Sequence, residues 1–314
     1  MRTASRPPRA AGEGVRAVRG ATDRRVCRRD TIDGAMQTNP TYSSLVAVGD
    51  SFTEGMSDLL PDGSYRGWAD VLASRMAART PGFRYANLAV RGKLIQQIVD
   101  EQVDVAAAMR PDVITLVGGL NDTLRPKCDM GRVRALLTEA VERLAPSCTQ
   151  LVLMRSPGRQ GPVLERFRPR MEELFACVDE LAERHGALVV DLYGAASLAD
   201  PRLWDVDRLH LTGEGHRRVA EAVWQTLGHE AEDTEWRTPP APTAPPRWLA
   251  RRSADVRFTR QHLLPWIGRR LTGRSSGDGR TGAHFSAELG KAFWVTPADH
   301  TNPGAVTDWR RVGP

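Results

Sequence analysis

From Leu45 onward the chain alternates short apolar runs with longer amphipathic stretches. The apolar runs at residues 45–48, 85–89, 113–117, 151–154 and 187–191 have the length of strands, whereas residues 67–80, 94–109, 131–144, 163–184 and 213–227 carry apolar positions at helical spacing. Strand and helix in alternation predict an α/β fold with a parallel sheet covered by helices on both faces. Ligands of such sheets sit beyond the C-terminal ends of the strands, so the residues after each strand are where chemistry is sought.

Four segments stand there. The first strand breaks at Gly49-Asp50-Ser51 and puts the Ser51 hydroxyl on a turn. Val90-Arg91-Gly92 follows the second strand, Gly118-Gly119-Leu120-Asn121-Asp122 the third, and Asp207-Arg208-Leu209-His210 lies just ahead of the last helix. A serine in that position has two readings, a nucleophile or, with Asp50, the cap of the next helix. A serine hydroxyl attacks effectively only when a base takes its proton, and a histidine held by a carboxylate is the common base. Asp207 and His210, three residues apart in a loop, fit that pair, with Asp205 as a second candidate carboxylate. Attack on an ester creates an oxyanion that needs preorganised donors; the backbone N–H groups of Ser51 and Gly92 and the side-chain amide of Asn121 are the candidates. Asp50, next to the serine, is expected to bind turn amides, and Asp122 to be structural.

Gly49-Asp50-Ser51-Phe52-Thr53-Glu54-Gly55, Gly92, Gly119-Leu120-Asn121-Asp122 and Asp207-Arg208-Leu209-His210 resemble, in that order, the four sequence blocks of the SGNH (GDSL-type) hydrolases, over about residues 44–228. The resemblance implies a flavodoxin-like three-layer α/β/α fold and serine-dependent hydrolysis of carboxylic esters, of esterase or lipase type. It further implies Ser51 as nucleophile, His210 as base, Asp207 as the carboxylate that orients it, and Ser51, Gly92 and Asn121 as the oxyanion hole. Phe52 stands where the family name has leucine. The G-x-S-x-G elbow of the α/β-hydrolases is absent, because Phe52-Thr53 follow the serine. Two other functions remain open: an O-deacetylase or acyltransferase acting on an acylated carbohydrate or metabolite, and a catalytically silent module whose basic ends hold anionic partners.

Charge divides the chain rather than describing it. Residues 1–35 hold nine Arg against four acids and residues 236–280 ten Arg against two, which leaves residues 36–235 at −7 within a total of +6. Residues 1–40 have too few large apolar side chains to fold and are expected to be disordered, with Met36 an alternative start. Residues 41–230 form the expected hydrolase domain, 231–247 an extended proline-rich linker, and 248–314 a basic, partly helical extension broken at Pro265. The aromatic residues of the extension are expected to dock on the hydrolase outside the cleft, with a membrane surface or nucleic acid as the rival partner. Residues 283–314 show no periodicity. Cys27, Cys128, Cys148 and Cys177 have no CxxC spacing, no His or Cys cluster has metal-ligand spacing, and no loop has a nucleotide-binding pattern, so neither metal nor cofactor is expected. With no secretory h-region and no apolar run of about 18 residues, a cytoplasmic location is expected, and the substrate is expected to be a small ester.

Overall fold

The structure, a computed structural model, describes residues 40–61, 65–157, 165–231, 234–243, 248–265 and 268, together with three short strands nearer the C-terminus. The expectation of disorder before Pro40 lies outside the described residues, as do Met36, Cys27 and Trp266.

Five strands, β1 (Ser44–Gly49), β2 (Arg84–Asn87), β3 (Val113–Val117), β4 (Gln150–Arg155) and β5 (Leu188–Asp191), pair in parallel in the order β2-β1-β3-β4-β5. Val46 lies opposite Ala86 on one side and Ile114 on the other. The helices are α1 (Ser51–Glu54), α2 (Trp68–Arg79), α3 (Ile95–Ile98), α4 (Asp104–Met109), α5 (Leu120–Thr123), α6 (Met130–Leu144), α7 (Arg168–His185), α8 (Gly213–Thr226) and α9 (Trp248–Phe258). Val46 and Val48 face a core built with α3, α4, α6 and α7, while Leu45 and Ala47 face one built with α2 and α8. The result is three layers, α/β/α. Burial on both faces is why the strands read as unbroken apolar runs rather than alternating ones.

Two helices depart from the expected limits for identifiable reasons. The helix expected at 163–184 runs as α7 from Arg168, because Pro169 is tolerated only in a first turn. The helix expected at 94–109 is interrupted between α3 and α4 by a π-helical turn, Val99–Val103. The described part of the proline-rich segment opens with a 3-10 turn, Thr234–Arg237, and is strapped down. Trp236 is buried in the α2/α8 core, Ser197 Oγ donates to its carbonyl, and Arg218 and Arg202 donate to the carbonyls of Thr238, Pro240 and Ala241. Further on, β6 (Phe285–Ser286), β7 (Lys291–Trp294) and β8 (Thr307–Asp308) form an antiparallel sheet in the order β6-β7-β8, from strands too short to leave a period-two signature.

The chain leaves β1 toward β2 on one side and returns to β3 on the other. The crevice above β1 and β3 is therefore the topological switch point, and Ser51 and Asn121 follow those two strands directly.

Candidate active site

The turn after β1 tolerates little besides glycine at its first position. A Cβ on Gly49 would lie 2.6 Å from the Val117 carbonyl oxygen and 2.7 Å from Thr53 Oγ1. Asp50 then caps α1, its Oδ1 accepting from Phe52 N at 3.1 Å, which leaves Ser51 as the first helical residue. The N–H of such a residue has no intrahelical acceptor. Asp50 is thus the cap, and Ser51, 8% exposed, is set at the head of the helix above the strand end.

Asn121 ties three of the four segments together. Its Nδ2 donates to Asp50 Oδ2 at 2.9 Å and to the Lys93 carbonyl at 3.1 Å, which brings the residues after β3 against those after β1 and β2. Gly92 precedes Lys93 with φ of 74°, in the left-handed region that glycine enters without penalty. Its other neighbour, Arg91, is clamped to Glu54 of α1. The Arg91 backbone N–H donates to Glu54 Oε2 at 2.6 Å, and its guanidinium pairs with Oε1 at 2.5 Å. Opposite charges in two converging segments were the available signal for this pair.

Asp207 and His210 form a closely bonded unit. His210 Nδ1 lies 2.6 Å from Asp207 Oδ2, while Asp207 Oδ1 accepts from the backbone N–H groups of Leu209 at 2.8 Å and His210 at 3.0 Å. Burial alone would push the Asp207 carboxyl up. The bond from the His210 ring, the ring's charge and the two backbone N–H groups outweigh it and hold the carboxyl down at about 2. Asp205 braces the loop by its backbone instead, its N–H donating to the His210 carbonyl at 2.9 Å and its carbonyl accepting from Arg208 N at 2.8 Å.

This fourth segment is fastened to the first through His216 on α8. The Trp68 backbone N–H donates to His216 Nδ1 at 3.2 Å, so Nε2 carries the proton and donates to the Met56 carbonyl at 3.1 Å. Burial pushes this ring down to about 4, which keeps it neutral. Its ring centroid lies 6.3 Å from that of Phe52, the residue after Ser51. As the molecule stands, no hydrogen bond joins Ser51 Oγ to His210 among the described residues.

Two supporting residues remain, Gln102, which leaves no mark in the sequence pattern, and Asp122, which the sequence marks as structural. Gln102, on the π-helical turn and 3% exposed, donates to the Gly49 carbonyl at 3.0 Å and accepts from Gly49 N at 2.9 Å, gripping both backbone groups at the end of β1. Asp122 accepts from Ile95 N at 3.0 Å and so caps α3; burial pushes its carboxyl up to about 6 against the opposing pull of that bond, and the nearby Asp50 charge adds to the rise. Among the described residues no group of three or more His, Cys, Asp or Glu is arranged to hold a metal ion, and no helix is long and apolar enough to cross a membrane.

A family model described as GDSL-like lipase/acylhydrolase matches residues 47–218, more than half of the chain. No curated protein matches. Among solved structures, LAE5, an alpha/beta hydrolase enzyme from the metagenome of Lake Arreo, Spain, is 25% identical with a TM-score of 0.52, covering 59% of this chain and 95% of its own. A catalytic mutant of Axe2, an acetylxylan esterase from Geobacillus stearothermophilus, is 20% identical with a TM-score of 0.53, covering 61% of this chain and 97% of its own. At that identity the likeness to Axe2 is one of fold.

Proposed function

Because the chain belongs to the GDSL-like lipase/acylhydrolase family and is a carboxylic ester hydrolase, we propose that Ser51 is its nucleophile, with His210 as general base, Asp207 as the residue that orients the ring, and Ser51 N, Gly92 N and Asn121 Nδ2 as oxyanion donors. The observation that carries this reading is the Asp207 carboxylate, which takes one ring N–H and two backbone N–H groups and so fixes both the tautomer and the angle of His210. With Nδ1–H given to Asp207, Nε2 is the nitrogen free to accept a proton.

In the first half-reaction Ser51 Oγ bonds to the ester carbonyl carbon as its proton passes to His210 Nε2. The carbonyl oxygen becomes an oxyanion at the three donors, and collapse expels the alcohol, which takes the proton back from the imidazolium. Water then repeats the sequence on the acyl-serine, releasing the carboxylic acid and regenerating the hydroxyl. Asn121 Nδ2 is shared between a carboxylate and a carbonyl at rest; the Lys93 carbonyl is the weaker acceptor, so that bond is the one an oxyanion would replace.

Purified protein is assayed with short-chain aryl esters. Ser51→Ala and His210→Ala should each abolish turnover while the far-ultraviolet spectrum and unfolding midpoint stay near those of the parent chain, because neither change opens a large cavity. A folded Ser51→Ala variant with near-normal turnover would sink the serine mechanism. An acyl series from acetyl to octanoyl, run on the parent chain, separates an O-deacetylase from a lipase-like esterase, since only the former should be confined to acetyl.

A further inference from the structure

The Asp207–His210 loop contains one of the three non-glycine residues with positive φ among the described residues, Arg208 at 52°. A side-chain-bearing residue stays in the left-handed region only where its surroundings hold it. At Arg208 part of the hold is local, the bond from its own N–H to the Asp205 carbonyl at 2.8 Å. A second contact reaches Arg208 from 47 positions away. The Arg208 guanidinium donates to Asp255 Oδ1 at 2.5 Å and lies 4.5 Å above the ring of Phe258, and both partners belong to α9, the helix of the basic extension. The sequence pattern points to docking of the extension away from the cleft; the described helix instead reaches the residue that follows Asp207 and precedes Leu209.

We infer that Arg208 is a positioning residue and that the C-terminal helix is a working part of the hydrolase: through Asp255 and Phe258 it holds Arg208 in the left-handed turn that presents Asp207 and His210. The inference rests on the reading of His210 as the base. Its physical content is a matter of peptide planes. The N–H groups of Leu209 and His210, which Asp207 Oδ1 accepts, lie immediately after Arg208, so relaxation of Arg208 to negative φ rotates the peptide that carries the first of them and turns the carboxylate relative to the ring. Misplacement of a base by even about 1 Å is enough to lower turnover by as much as about 100-fold. The ester itself is bound by other groups, so the effect falls on kcat rather than on KM.

The test uses the full chain and a short aryl ester. Asp255→Asn combined with Phe258→Leu, both close in shape to the residues replaced, should lower kcat by about tenfold with KM little changed and with the unfolding midpoint retained. Arg208→Ala should do the same. Arg208→Gly should be slowed less than Arg208→Ala, because glycine takes φ of 52° without a side-chain penalty, and the Asp255/Phe258 pair of changes should then have little further effect in that background. A merely structural contact would not produce that ordering. Parent-like kcat in the Asp255→Asn/Phe258→Leu chain, or Arg208→Gly as slow as Arg208→Ala, overturns the inference. Retained turnover in His210→Ala would instead overturn the assignment of the base, a result distinct from either.

Discussion

At the scale of single residues, two carboxylates in the site show how environment sets charge. Asp207 is held at about 2 by the groups that bond it, so it remains an anion far below neutral pH and is available to stabilise a protonated ring. Its contribution to stability is present above the ordinary carboxylate range and is lost as pH falls from about 4 toward 2. Asp122 is the opposite case. Burial raises it to about 6, so its contribution is present below about 4 and is lost as pH rises through 6. At pH 8 its ionised form is a liability of at most about 3 kcal/mol. Asp122→Asn keeps an acceptor for Ile95 N and removes the charge, so the variant should be the more stable protein at pH 8, with the gap closing by about pH 4. Chemical denaturation at the two pH values measures it; a gap of equal size at both, or a less stable variant at pH 8, would contradict the assignment. Residues of this kind differ in how legible they are. Ser51 is legible by its type and its place after a strand, and Asp207 and His210 by their types and spacing just ahead of a helix, whereas the burial that sets the Asp122 charge exists only once α3 has packed over it.

At the scale of elements, the turn after β1 that carries Ser51 is held from the side. The fifteen-residue helical stretch after β2 reads as one continuous helix, and its π-helical turn inserts the Gln102 amide between the backbone groups of Gly49. Such turns recur where a side chain must be re-aimed at a functional position. Gln102→Leu preserves volume but leaves the buried Gly49 N–H without an acceptor, a loss of about 1–3 kcal/mol. The same change should lower turnover, because Gly49 is two residues from Ser51 and its looseness is passed to α1. Unfolding midpoints and kcat are to be compared in parallel; an intact kcat in a destabilised chain would show that Gln102 stabilises the sheet without positioning the serine. The apolar period could not report this contact. A π turn shifts the helical register by one residue over a single turn, and the partner lies 53 positions away on a strand.

At the scale of the molecule, five strands and four of the five expected long helices are legible because a sheet buried on both faces writes long apolar runs, and the expected domain boundary at residue 230 lies where those runs stop. Beyond that boundary the chain still makes contacts with the domain. The segment after it is rich in acids and prolines, which looks like a linker, and a single tryptophan has no period. Yet Trp236 is only 6% exposed and closes the α2/α8 core, and Arg202 and Arg218 bind the carbonyls of Thr238, Pro240 and Ala241, groups that proline retains although it lacks an N–H. Loss of a buried tryptophan side chain removes about 3–5 kcal/mol, a large part of the stability of an ordinary domain. A chain ended after Glu230 should therefore be poorly soluble or melt well below the full protein, whereas one ended after Thr243 should unfold cooperatively close to it. The second truncation also lacks α9, so it should fold while hydrolysing aryl esters slowly. The Arg208–Asp255 pair is about half exposed, at 49% and 52%, and pairs of that kind contribute about 0–1 kcal/mol to stability. Removal of the helix should therefore change the melting temperature little and the rate markedly. Calorimetry of the two truncations decides the boundary: equal midpoints for the chains ended at 230 and 243 would return residues 234–243 to the status of a linker.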